Sequence, residues 1–79
     1  MLRPTAKKVI VLDDYKLLIK FDNGEEKLFD ASKLLSRKPF MPLNNKNIFK
    51  NVRTNGISIE WNDEIDICPD ELYYTSVSI

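Results

Sequence analysis

Hydrophobic and polar side chains alternate in the first third of the chain. Every second position there is apolar or aromatic: Tyr15, Leu17, Ile19 and Phe21. The positions between them hold Lys16, Leu18, Lys20 and Asp22. A period of two is typical of a β-strand with one buried face, so this segment is predicted to be a strand whose lysine-bearing face looks toward water. The run KKVIVL at 7–12, rich in β-branched and other apolar residues, predicts a preceding strand, and Asp13-Asp14 suits the turn between the two.

Two Asn-Gly dipeptides stand between apolar runs and predict two β-hairpins. Asn23-Gly24 follows the alternating strand, and Asn55-Gly56 separates 52–53 from a second alternating segment. Asparagine and glycine tolerate the positive φ angles that tight hairpin turns require. In the second hairpin the residues predicted to share one buried face are Ile57, Ile59 and Trp61.

The segment between the hairpins predicts short helical turns. Asp30 or Ser32 is placed to cap a short helix through positions 34–35, because either side chain can accept a hydrogen bond from a free backbone N–H. A second turn is expected to start at asparagine 44 or 45 and to end near Phe49. Two prolines, at 39 and 42, are expected to force an extended or turning path and to keep the helical content short.

The last third predicts a short strand followed by a helix. Alternation in EIDI, at 64–67, indicates the strand. Pro69 then suits the first position of a helix, and the acidic Asp70 and Glu71 suit its first turn, where the helix dipole is positive. The tail TSVSI, at 75–79, is either a frayed end or an extra strand.

These elements predict one α+β domain over residues 1–79: a small antiparallel sheet of two β-hairpins plus a short strand, with one or two short helices packed on one face. Five residues are expected to serve the fold rather than chemistry: Gly24, Gly56, Trp61, Asp66 and Pro69. The glycines belong to turns and Trp61 to the core. Asp66, between two isoleucines, is expected to bond backbone N–H groups near the last helix.

The amino-acid composition limits the catalytic and metal-binding chemistry that the chain can support. The 79 residues are 43% hydrophobic and 30% charged, an ordinary globular balance, and include one cysteine and no histidine. Histidine is the commonest general base near neutral pH and the commonest transition-metal ligand, so neither an enzyme nor a metal or other cofactor is expected. No signal peptide or transmembrane run is seen, which predicts a protein of the reducing cytoplasm that does not enter a membrane.

Cys68, the single cysteine, lies close to the predicted helix start. A helix N-terminus favours a thiolate, but no histidine is present to activate the thiol and the neighbouring acids raise a thiol pKa. A small, partly buried, unreactive cysteine is therefore expected.

The net charge of zero hides a polarity along the chain. Six basic residues and no acid occupy the middle segment 31–53: Lys33, Arg37, Lys38, Lys46, Lys50 and Arg53. Six acidic residues and no base follow it: Glu60, Asp63, Glu64, Asp66, Asp70 and Glu71. Such segments either pair with each other within the fold or select oppositely charged partners.

Three stretches carry a resemblance to a known family: DYKLLIKFDNGEEKLFD, the LL at 34–35, and GISIEWNDEIDICPDELY. Together they resemble the short bacterial proteins grouped as domain of unknown function 2442. The resemblance implies a compact α+β fold. It also implies a bacterial setting in which such genes often stand beside another small gene, an arrangement similar to toxin–antitoxin modules. The family has no settled catalytic set, so it assigns no functional residues.

Two functions from different classes follow. The first is a non-catalytic protein-interaction module, antitoxin-like or an accessory component of a bacterial two-gene system, whose partner is a protein encoded by a neighbouring gene. Assembly with further copies of the chain is a related option, because segments of opposite charge complement each other. The second is a small nucleic-acid-binding regulator that contacts phosphates through the basic segment 31–53.

Overall fold

The chain begins with a three-stranded antiparallel meander and returns to it with its last strand. The computed structural model describes residues 4–62 and 65–78. Its strands are β1 (Ala6–Val11), β2 (Lys16–Phe21), β3 (Glu26–Asp30), β4 (Arg53–Thr54), β5 (Ile59–Glu60) and β6 (Val77–Ser78). Its helices are two 3₁₀ helices, Ala31–Leu34 and Lys38–Asn44, and the α-helices α1 (Lys46–Phe49) and α2 (Pro69–Thr75).

The first hairpin confirms the alternation seen in the sequence. Leu17, Ile19 and Phe21 of β2 are buried, and Leu17 pairs with Phe29 of β3. Gly24 has a φ of +89°, which closes the β2–β3 turn. Tyr15, predicted to belong to the strand, lies instead in the preceding turn with a φ of 60°.

An aspartate and an asparagine side chain cap the first 3₁₀ helix and α1. Asp30 caps the first 3₁₀ helix by accepting hydrogen bonds from the backbone N–H of Ser32 at 3.0 Å and from its hydroxyl at 2.6 Å. Asn45 caps α1 by accepting a bond from the N–H of Asn47 at 2.9 Å. These caps settle the two alternatives that the sequence left open. Phe49 then points from α1 into the core.

The second hairpin forms its own sheet of two strands, β4 and β5, rather than extending the first. Its turn is four residues long, because Asn55 accepts bonds from the N–H groups of Ile57 and Ser58 at 3.1 and 2.7 Å. Gly56 has a φ of +93° in that turn. The prediction that Ile57 shares the buried face is wrong: Ile57 belongs to the turn and is 54% exposed, whereas Ile59 is fully buried.

The predicted strand at 64–67 is reduced to an isolated bridge between Glu60 and Asp66, and its first position lies outside the described residues. α2 begins at Pro69, as the sequence predicts. The tail is an extra strand, because Val77 of β6 pairs with Leu28 of β3. The order of the four-stranded sheet is therefore β1-β2-β3-β6.

The core lies on one face of this sheet. Trp61 is 2% exposed and packs between Phe40 and Phe49, whose ring centroids lie 6.3 and 6.2 Å away. Leu72 of α2 and Leu34 of the first 3₁₀ helix close the same side. A four-stranded antiparallel sheet with short helices on one face confirms the predicted α+β class.

A polar contact ties α2 to the first hairpin turn. The Tyr73 hydroxyl donates a hydrogen bond to Glu25 at 2.6 Å, and Lys27 lies 3.8 Å above the Tyr73 ring. Hydrogen bonds from Tyr73 and then Asn23, with the charge of Lys27, lower the pKa of the Glu25 carboxyl from its usual 4.5. The same bond raises the pKa of the Tyr73 phenol.

This contact predicts a pH dependence of stability. Because folding lowers the pKa of Glu25, the Glu25 carboxylate makes its full contribution to stability above pH 4.5. This contribution is lost as the pH falls through the lower pKa that Glu25 has in the folded state. In Tyr73→Phe we expect the pKa of Glu25 to rise toward its usual value, measured by NMR titration of the side-chain carboxyl. Tyr74→Phe is the matched control, since Tyr74 is 72% exposed. An unchanged Glu25 pKa in Tyr73→Phe would contradict the assignment.

Candidate interaction surface

Within the described part of the chain, two of the six basic residues in 31–53 form ion pairs with the acidic segment. Arg37 lies 2.6 Å from Glu71, and Arg53 lies 2.6 Å from Glu60. A hydrogen bond from Asn55, followed by Arg53, lowers the pKa of Glu60. The tertiary structure therefore brings the two oppositely charged segments together at these points.

The structure does not gather the remaining cations into one patch. Lys33, Lys38, Lys46 and Lys50 are all exposed. Lys46 and Lys50 line a small cavity of about 170 Å³ beside the β1–β2 turn, whose aspartates at 13 and 14 share it. Lys33 lines a larger groove with Arg37. Four of the six predicted residues thus divide between two separate concave sites, and both sites also contain carboxylates.

The larger groove, of about 420 Å³, runs between the end of β3, the first 3₁₀ helix and α2. Its apolar lining consists of Leu28, Phe29, Leu34 and Val77. Its charged lining consists of Lys16, Asp30, Lys33, Arg37 and Glu71. The Ser32 hydroxyl holds the pKa of Asp30 low, with smaller contributions from its backbone N–H and from Lys16 and Lys33. Both acids of this groove are therefore engaged within the chain.

A second apolar surface crosses the sheet on the side away from the core. The strand register places Ile10 beside Leu18, Leu18 beside Leu28, and Leu28 beside Val77. Val77 is 65% exposed and the other three are half-buried. None of the four packs with the core cluster. They form one row across the four strands, continuous with the groove through Leu28 and Val77.

Charged pairs flank this row on both sides. Lys20 pairs across the strands with Glu26, and Lys16 pairs with Asp30. Residues two apart on a strand face the same side, so these pairs share the face of the apolar row. We call this surface the open sheet face; its residues are Ile10, Lys16, Leu18, Lys20, Glu26, Leu28, Asp30 and Val77.

The prediction from sequence missed the open sheet face, although the sequence itself contained a signal for this surface. The face of β2 that carries Lys16 and Lys20 was expected to look toward water, yet it also holds Leu18. A leucine on each of two neighbouring strands, at Leu18 and Leu28, marks an apolar centre only once the register shows that they are adjacent. Periodicity within one strand does not supply that register.

The residues expected to be structural lie as follows. Trp61 is in the core, Pro69 opens α2 and the two glycines, at 24 and 56, lie in turns. Asp66 is exposed, and among the described residues its carboxylate accepts no hydrogen bond. Cys68 is exposed, so its expected partial burial is wrong. The core positions beside it are filled by Ile67 and Leu72.

Within residues 4–62 and 65–78, no group of three cysteine or acidic side chains converges as a metal site would require. No helix in the same ranges has the length and apolar character needed to cross a membrane.

The fold and its open sheet face define a small α+β protein with a row of apolar side chains outside its core. The family model described as "Protein of unknown function (DUF2442)" matches residues 6–78, and the chain belongs to this family. The predicted resemblance is thereby confirmed. Comparisons with curated proteins and with solved structures produced no match.

Proposed function

We propose that this protein is a non-catalytic protein-binding module that binds its partner through the open sheet face. The observation that carries the proposal is the row formed by Ile10, Leu18, Leu28 and Val77, which lies apart from the core. Protein interfaces combine a buried apolar centre with a polar rim, and the paired charges beside the row supply such a rim. Large contiguous exposed apolar patches mark interaction sites, whereas isolated exposed apolar side chains do not, and this row is contiguous across four strands.

The carboxylates with shifted pKa values serve the fold rather than general-acid catalysis. The described carboxylates with shifted pKa values are Glu25, Asp30 and Glu60, and all three are shifted downward by hydrogen bonds within the fold. A general acid acting near neutral pH requires a raised pKa instead. These carboxylates hold the hairpin turns and the first 3₁₀ helix in place.

The partner in this proposal is the product of a neighbouring gene, and the role is that of an antitoxin-like or accessory component of a bacterial two-gene system. The gene setting implied by the family supports this part of the proposal. The groove beside Leu28 adds Lys33 to the rim, whose mixed charges would select a partner with a complementary pattern of charges.

The alternative, a nucleic-acid-binding regulator, has weaker support. Arg37 and Arg53 are occupied by ion pairs, and each described cavity that holds predicted cations also holds acids. Six phosphate contacts would make log affinity fall with log salt at a slope of about −5. A flat salt response would exclude this mode.

The test is co-purification of the tagged protein with the products of its adjacent genes, at low and high salt. We expect one of these products to be retained at both salts, and retention to be lost in Leu18→Lys, which places a charge at the centre of the row. Ile57→Lys is the matched control, because Ile57 is exposed but lies in the β4–β5 turn. Equal retention by both variants would reject the open sheet face as the binding site.

A further inference from the structure

The open sheet face is complementary to itself. Its residues form cross-strand pairs in which β2 contributes one member and β3 the other: Leu18 with Leu28, Lys20 with Glu26, and Lys16 with Asp30. We propose that a second copy of this chain covers the face, in a dimer whose two-fold axis runs parallel to the strands between β2 and β3. This proposal rests on the proposed function, since it concerns the same surface: the second copy covers the open sheet face when no neighbouring-gene product is bound, and that product would displace it.

The two-fold axis superimposes the apolar rows. It exchanges β2 with β3 and β1 with β6, so Leu18 meets the partner's Leu28 and Ile10 meets the partner's Val77. Val77, at 65% exposed, gains the most burial from this arrangement. Two sheets pack face to face about 10 Å apart, with their strands within about 30° of alignment, which keeps these side chains in contact.

The charges select this axis over the other two-fold axis that lies in the plane of the sheet. With the axis along the strands, Lys20 meets the partner's Glu26 and Lys16 meets the partner's Asp30. With the axis across the strands, Lys20 would meet the partner's Lys16, and the acids would likewise face each other. Like charges at an interface disfavour a complex, so only the first arrangement is self-complementary.

The sheet edges offer less for self-association. The backbone N–H of Ala6, in β1, bonds to the carbonyl of Ile57 at 3.2 Å, which occupies part of that edge. The opposite edge strand, β6, has two residues. Short and covered edges resist edge-to-edge pairing. The face remains as the self-complementary surface, and its row of four residues spans about 14 Å at the usual spacing of strands.

Reversing single charges provides the test. An interface of this size belongs to the weak class, so sedimentation equilibrium of the full chain is measured from about 10 µM to about 1 mM. We expect the natural sequence to dimerise in this range. Lys20→Glu places two acids opposite each other, and Glu26→Lys places two lysines, so each variant alone is expected to dissociate at least about tenfold more readily.

Mixing the two variants tests the geometry. In a mixed dimer, the glutamate introduced at position 20 meets the lysine introduced at position 26, and the unaltered Glu26 and Lys20 also meet. We expect an equimolar mixture to restore the affinity to within about threefold of the natural sequence, because both opposite-charge contacts return. Thermal unfolding followed by circular dichroism checks that each variant is folded. Leu18→Lys serves as a second disrupting variant and is expected to be monomeric.

Two results would overturn the dimer: a natural chain that stays monomeric to the highest concentration, or single variants that dimerise as well as the natural chain. Suppose that the natural chain is monomeric and co-purifies with a neighbouring-gene product that the Leu18→Lys variant does not retain. The dimer is then rejected and the proposed function stands. If Leu18→Lys changes neither self-association nor retention of that product, both fail.

Discussion

Replacing Trp61 with alanine is expected to remove about 3–5 kcal/mol from the free energy of unfolding, the usual cost of truncating a large buried aromatic side chain. Trp61 is 2% exposed and contacts rings from two elements, Phe40 of the second 3₁₀ helix and Phe49 of α1. A chain of 79 residues has a total stability of only about 4–12 kcal/mol. The loss is therefore expected to be about a quarter or more of the total stability, measured as a lowered midpoint of urea denaturation followed by circular dichroism.

Two further variants show whether the loss comes from packing. Trp61→Phe keeps an aromatic ring and removes the indole N–H, which is buried and has no hydrogen-bond partner in the described part of the chain. Its cost is therefore expected to be smaller than that of Trp61→Ala. Tyr74→Ala is the exposed control, at 72%. A urea midpoint for Trp61→Ala equal to that of Tyr74→Ala would contradict the central position of Trp61 in the core.

The second large effect separates two neighbouring leucines. Leu17 is fully buried on the core face of β2, and Leu18 lies on the open sheet face. We expect Leu17→Ala to cost about 2–5 kcal/mol of unfolding free energy, because it leaves a cavity in a closely packed core. We expect Leu18→Ala to cost less than about 1 kcal/mol in the monomer, because its side chain is only partly buried and leaves no enclosed cavity.

The same two variants should have the opposite order of effects on binding. Urea denaturation at low protein concentration measures the monomer, and sedimentation or co-purification measures association. Leu18→Ala is expected to weaken association while the fold persists. A comparable loss of stability in both variants would mean that the two faces of β2 are buried alike, which would remove the physical basis for the open sheet face.

In the described part of this small protein, the helices pack on only one face of the four-stranded sheet, and this has a physical cause. Its short helices and its second hairpin all contribute to the core on one side of the four-stranded sheet, as Leu34, Phe49, Ile59 and Leu72 show. The other side carries an apolar row between charged pairs. Such a face is compatible with exposure to water. Burial of its apolar row would also be favourable, which suits association with a second chain.

Local features of the sequence determined several elements. Alternation in β2 predicted its buried face, Asn23-Gly24 predicted the first hairpin, and Pro69 predicted the start of α2. These features act through neighbouring residues: the pleat of a strand, the φ angle of a turn and the cap of a helix. The family resemblance also came from the residues alone and is confirmed over 6–78.

Local sequence features gave wrong predictions where a side chain formed hydrogen bonds with the backbone. Asn55 bonds the N–H groups two and three residues ahead, so the second turn takes four residues and Ile57 turns outward. The predicted strand at 64–67 is similar, since in the described part of the chain it keeps only a bridge to Glu60. Period-two alternation indicates which side a residue faces within a strand, but it does not show where pairing ends.

The sequence by itself determined the α+β class, the lack of histidine chemistry and the charge polarity of the chain. The tertiary structure decided which charges pair, as in Arg37 with Glu71, and which apolar side chains stay outside the core. Both outcomes depend on residues far apart in the chain. They are determined only when the strands pair and the helices pack on one face of the sheet. Leu18 and Leu28 are ordinary strand residues in the sequence; their register makes them the centre of a surface.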